Sequence, residues 1–153
     1  EVQSESQRLQ ERLRTLGLRE HPITGDGACM FRAVADQLWG KQERHAEVRQ
    51  RAIETLRAQR DHFAPFVPDD ESFEQYLRRL SQPGEWGDNL MLQALASAFG
   101  VDINLVTTFP DAKIVRVETA AGGGAAAQHP RQLWLGFYAD VHYVSVSADE
   151  RSA

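Results

Sequence analysis

One cysteine, Cys29, stands in 153 residues. An internal disulfide is therefore excluded, and a reducing compartment, cytoplasmic or nuclear, is expected. No apolar run approaches the roughly 20 residues needed to cross a bilayer. The start lacks the charged-then-apolar pattern of a secretory signal. It opens on Glu1 rather than Met, so a domain excised or processed from a longer protein is expected. Positive charge is also short: 17 Lys and Arg face 22 Asp and Glu, a net charge of −5. A clustered basic face for phosphate backbones is missing, so neither nucleic acid nor a membrane is an expected partner. His21, His45, His62 and His129 fall at no ligand spacing, which argues against a zinc site. The turn Gly25-Asp26-Gly27 lacks the lysine and the Ser/Thr of a phosphate loop. No internal repeat is visible.

What is present is ordinary for a globular domain, with 42% hydrophobic and 25% charged residues. The length suits one domain able to bury a core without metals or disulfides. Leu9, Leu13 and Leu16 share one face of a helix from Ser4 to Leu16, stopped by Gly17. His21-Pro22-Ile23 reads as extended chain, because a residue before proline is pushed out of the helical region. Helices are predicted over Cys29–Trp39 and His45–Arg60, and a short one carries Phe73, Tyr76, Leu77 and Leu80 behind a cap at Asp70 or Ser72. Asp88 can cap another, from Asn89 to Phe99, that Gly100 closes. The period then changes to two. Val101, Ile103 and Leu105 alternate with polar residues, Ile114 to Val117 more loosely, and strands over Gln132–Tyr138 and His142–Ser147 follow. The Ala/Gly-rich run 120–130 reads as a flexible connection. Helices mostly first and strands mostly last predict an α+β fold. The boundaries read as an N-terminal helix over 1–20, a main domain over 21–148 and a tail over 149–153.

The candidate chemistry lies at Cys29, between a glycine-rich turn and a helix. Unpaired N–H groups and the positive dipole at a helix start favour the thiolate, the reactive form. The glycines before it permit close-approach backbone, whose N–H groups can receive a developing oxyanion. His142 lies far downstream in a strand-like segment and is suited to act as a base, its ordinary pKa being close to operating pH. A buried small hydrophobe remains the other reading of a lone cysteine.

The run Asp26-Gly27-Ala28-Cys29-Met30-Phe31-Arg32-Ala33 resembles the signature of the ovarian-tumour (OTU) domain cysteine proteases, which are deubiquitinating enzymes. Gly84-Glu85-Trp86-Gly87-Asp88 and Val141-His142-Tyr143 resemble the family's later segments, in the same order. The likeness runs from about Pro22 to Val146. It implies a small papain-like α+β unit with a central, mostly antiparallel sheet flanked by helices. It implies Cys29 as nucleophile, His142 as general base and Asp26 as an acidic residue of the site. The oxyanion would rest on backbone N–H groups of Asp26, Gly27 and Cys29. The implied substrate and partner is ubiquitin or a polyubiquitin chain, cut at its C-terminal isopeptide bond with no metal or organic cofactor.

Asp26 also fits an Asx-turn that bonds its own backbone. One position departs from the family pattern: many relatives carry Asn or Asp two residues after the histidine, where this chain has Val144. Asp26, Asp140, a backbone carbonyl or a water must then orient His142, and Val144→Asn is expected to raise turnover if the ring is poorly held. A catalytically weak module that binds ubiquitin is the alternative, and action on a different modifier is a third. Trp86 is expected to be a core or loop anchor, Tyr143 to pack away from the base, and Arg57, Arg60, Arg78 and Arg79 to sit on solvated helix faces.

Overall fold

A computed structural model describes residues 4–119, 130–139 and 142–148. Helix α1 (Glu5–Thr15) begins in a capping box, in which the Ser4 hydroxyl accepts the Gln7 N–H and the Gln7 side chain accepts the Ser4 N–H. Strand β1 (Leu18–His21) was not foreseen: it shares only His21 with the segment read as extended, and its other three residues fall in the stretch 1–20 read as an N-terminal helix. It leads through the glycine turn into α2 (Cys29–Trp39), which ends on Gly40 at φ +68°, a conformation that only glycine adopts without strain. Helix α3 (His45–Ala58) stops short of the expected Arg60, and a separate turn, α4 (Arg60–Phe63), follows and runs into a 3₁₀ turn over Ala64–Phe66 that contains Pro65. Next come α5 (Phe73–Leu80), α6 (Asn89–Phe99), β2 (Val101–Thr107), β3 (Ile114–Val117), β4 (Arg131–Tyr138) and β5 (His142–Ala148).

The strands form one sheet in the order β1-β5-β4-β2-β3. Three of its four pairings are antiparallel and β2–β4 is parallel. The fold is α+β with a mostly antiparallel sheet, as the sequence predicts. Alternation along β5 sends neighbouring side chains to opposite faces. Val144 meets Leu9 of α1 over Gly136, where a Cβ would stand 2.7 Å from the valine and 3.2 Å from the leucine. Ser145 turns the other way and takes a hydrogen bond from Gln37 of α2 at 2.8 Å. The Gln37 amide also donates to the Val146 carbonyl at 2.6 Å and accepts the Trp134 N–H at 3.1 Å, which pins α2 across β4 and β5. Helix α6 lies on β2, with α3 behind it.

Both faces of the sheet are thus covered, and all seven residues of β2 are buried. The polar members of its alternation are satisfied internally: Asp102 by Arg116, Gln132 and the Thr119 N–H, Asn104 by Gln132 and the Leu133 carbonyl. Leu9 and Leu13 of α1 are fully buried in the same core as Phe31, Tyr76, Leu95 and Val144. The tail 149–153 and the stretch 120–129 lie outside the described residues.

Candidate active site

The stretch 24–29 is a closed turn at the mouth of α2. The Asp26 N–H donates to the Thr24 carbonyl at 3.0 Å, and the Cys29 N–H donates to the Asp26 carbonyl at 3.0 Å. The Asp26 carboxylate accepts the Ala28 N–H at 3.0 Å and holds Arg32 through both oxygens, at 3.3 and 3.0 Å. Arg32 and the Ala28 N–H outweigh burial and hold this carboxyl below its usual range. Asp26 is therefore both an Asx-turn residue and one half of an ion pair. Two of the three expected oxyanion donors, Asp26 and Cys29, are engaged within the turn in this structure.

Cys29 is the first residue of α2 and is 1% exposed. Burial pushes its thiol up, and the Asp26 charge adds to this; the N–H groups of Tyr143, Met30 and Cys29 itself pull the other way. Burial wins. The helix start does not deliver a resting thiolate, contrary to the sequence expectation, because desolvation of the charged sulfur exceeds what the helix N–H groups return.

Tyr143, whose N–H is among the groups that pull the thiol down, directly follows His142. The imidazole itself lies over Gly25, where a Cβ would sit 3.3 Å from Cε1 and 3.6 Å from Nδ1. The start of β5 thus lies against the turn before α2 through the His142 ring. Val144 cannot serve the ring, since it is fully buried beside Leu9. Asp140 lies outside the described residues. A flank sequence reasoning missed is Tyr138, paired with His142 across β4–β5, its ring 5.9 Å away and tilted 31°. Its hydroxyl donates to Glu20 of β1 at 2.6 Å, and burial together with Glu20 pushes the phenol up to about 12. The short reversal between Tyr138 and His142 was the available clue.

The Gly84–Asp88 loop forms the other wall. A Cβ on Gly27 would collide with the Gly84 carbonyl oxygen, and one on Gly87 would stand 2.6 Å from the Met30 sulfur. Asp88 caps α6 by accepting the Met91 N–H at 2.9 Å, and both its oxygens accept the Tyr76 hydroxyl at 2.8 Å. Trp86 is 44% exposed and sits in the loop rather than in the core, the second of the two places expected for it. Tyr143 packs as expected, its ring 4.6 Å from Phe137. Arg57 and Arg60 meet Glu74, and Arg79 bridges Glu71 and Glu85, tying α5 to the loop.

Also missed was Arg49 of α3, 4% exposed. Its guanidinium donates to the carbonyls of Leu80 at 2.7 Å, Pro83 at 3.1 Å and Gly27 at 3.2 Å, and lies 4.2 Å over the Phe31 ring. Its position was a signal, since Arg49, Ala52, Ile53 and Leu56 fall at i, i+3, i+4 and i+7 on the buried face. Among the described residues no group of three His, Cys, Asp or Glu is placed to hold a metal ion, and no helix is long and apolar enough to cross a membrane.

Two Arabidopsis thaliana proteins named as ovarian tumor domain-containing deubiquitinating enzymes are similar: number 10 at 36% identity over 95% of this chain, and number 12 at 37% over 92%. The chain spans 39% and 61% of their respective lengths. The OTU domain of OTUD1 shares the fold, with a TM-score of 0.81 at 24% identity, covering 94% of each chain. An OTU domain solved in complex with ubiquitin gives 0.69 at 18% identity, over 85% of this chain and 69% of that one. Residues 24–145, from the turn before Cys29 to the strand after His142, match the OTU-like cysteine proteases, and the chain belongs to that family.

Proposed function

We propose that this chain is a cysteine-type deubiquitinase that hydrolyses isopeptide bonds at the C-terminus of ubiquitin. The observation that carries the reading is the contact of the two chain ends of the site. The His142 ring at the start of β5 rests on Gly25, in the turn that leads directly into Cys29. In this mechanism His142 removes the thiol proton as the sulfur attacks the terminal glycine carbonyl. This suits a thiol that burial keeps protonated at rest. The tetrahedral oxyanion rests on backbone N–H groups of the 26–29 turn, and His142 returns the proton to the departing lysine amine. Water then attacks the thioester, His142 takes its proton, and the sulfur leaves. Asp26 holds the turn through Ala28 and Arg32 rather than acting on substrate. The ubiquitin or polyubiquitin partner, and a cytoplasmic or nuclear setting for the lone thiol, belong to the same proposal.

Cys29→Ala is expected to abolish diubiquitin cleavage and labelling by a ubiquitin electrophile, and full retention of either refutes the assignment. The engaged Cys29 N–H and the buried Val144 favour a second reading, a ubiquitin-binding module with little turnover. Ubiquitin binding by the wild type without cleavage product supports that second reading.

A further inference from the structure

The closed turn poses a problem of geometry. While the Cys29 N–H donates to the Asp26 carbonyl, it cannot donate to an oxyanion on the atom that Cys29 attacks. One peptide unit must turn, and the surroundings decide which. The Gly27–Ala28 unit is held at both ends: its carbonyl accepts Arg49 Nη2 at 3.2 Å, and its N–H donates to Asp26 Oδ1 at 3.0 Å. The next unit toward the N-terminus, Asp26–Gly27, is the one whose oxygen occupies the Cys29 N–H. Rotating it by about half a turn removes that oxygen and brings the Gly27 N–H to the same side. Gly27 does not have a positive φ in the closed turn. The rotation carries φ of residue 27 into the region that glycine tolerates and other residues avoid. Contact with the Gly84 carbonyl demands glycine there independently.

Arg49 is placed to make that rotation selective. It meets no carboxylate within salt-bridge distance among the described residues, and its guanidinium is spent on three carbonyls from the two walls of the site. A planar fork can grip three oxygens at once, whereas an ammonium is a point donor. We propose that Arg49 is a positioning residue for the oxyanion. It fixes the Gly27–Ala28 peptide against the Pro83–Gly84 wall, so that only the Asp26–Gly27 peptide turns when the substrate carbonyl arrives. The Cys29 and Gly27 N–H groups are then delivered together.

This inference rests on Cys29 being the nucleophile, and its test separates the two claims. Arg49→Met and Arg49→Lys are compared with the wild type below their melting temperatures in three measurements. These are kcat and KM on diubiquitin, the rate at which iodoacetamide alkylates Cys29, and amide exchange at Ala28 by NMR. Loss of a positioned oxyanion donor corresponds to about 10²-fold in kcat. Arg49→Met is expected to show that loss with little change in KM or alkylation, together with faster Ala28 exchange. Arg49→Lys should fall between it and the wild type, since it restores charge without the fork. A lower melting temperature with unchanged kcat overturns the proposal, as does alkylation falling in step with kcat. Unchanged Ala28 exchange in Arg49→Met overturns it even if the wild type is inert. A wild type that cleaves no better than Cys29→Ala instead overturns the reading on which it rests.

Discussion

Val144 shows how a single side chain is fixed by what covers it. The family resemblance places a polar group two residues after the histidine, and here that position faces Leu9 of α1 across Gly136. The side chain is fully buried, and Tyr138 already flanks the His142 ring. Val144→Asn would bury an amide beside the apolar Leu9 side chain. Such a group costs about 1–3 kcal/mol. A gain in turnover was expected only for a poorly held ring, and Tyr138 flanks this one; the variant should therefore lose about that much stability in urea unfolding and show no gain in kcat. A gain in kcat would mean the amide reaches His142 after all. Cys29, His142 and Asp26 could be singled out as candidates because their residue types and order carry the resemblance. The pairing of Arg49 with Gly27 was not legible, since 22 residues separate them and local periodicity says only that the arginine faces inward.

At the scale of elements, the helix ends were the most legible part of the fold, because capping is a local code. Ser72 and Asp88 cap the helices they precede, and Gly40 and Gly100 end theirs in the left-handed conformation. Asp88 does more than its cap position shows. It bonds Met91 at the start of α6 and receives the Tyr76 hydroxyl from α5, and Tyr76 is fully buried. Burial first, then the nearby Asp88 charge, pushes that phenol above its ordinary range, so it remains a donor throughout the accessible pH range. Asp88→Ala removes the cap, worth about 1 kcal/mol, and strands the hydroxyl, worth about 1–3 kcal/mol more. Adding Tyr76→Phe removes the stranded group. The double variant is thus expected to lose clearly less stability than the two single losses added together, a coupling of about 1 kcal/mol or more in a urea-unfolding cycle. Strict additivity would show that the pair shares no energy. Helix α3 was predicted two residues too long, since the pattern of Val48, Ala52, Ile53 and Leu56 continues smoothly towards Arg60. Its break at Gln59 is followed by the separate turn that buries Phe63.

Across the whole molecule, the sheet is a layer with helices on both faces, and that arrangement decides which ionisable groups govern stability. Alternation in β2 is correct as a pattern, yet Asp102 is buried because β3 and β4 bring it Arg116 at 2.9 Å and Gln132 at 2.7 Å. The parallel β2–β4 register sets Gln132 directly opposite Asp102, and no local period reveals it. Burial alone raises a carboxyl, but Gln132, the Thr119 N–H and Arg116 more than offset it and leave Asp102 below its ordinary range. A carboxyl with a lower pKa folded than unfolded releases its proton more readily in the native state. Its stabilisation is complete above the unfolded value, near pH 4, and is lost as pH falls through the folded one. Asp26 and Glu71 shift in the same direction, but solvent reaches their half-exposed pairs and shrinks their share. Asp102→Asn is therefore expected to be less stable than the wild type at pH 7, by about 1–3 kcal/mol for charge-assisted bonds. The gap should narrow in urea titrations as pH is lowered from 5 towards 3, because the wild type must then protonate the group the variant lacks. A gap that stays constant over that range would assign the loss to packing at position 102 and leave the acid sensitivity of this fold to other groups.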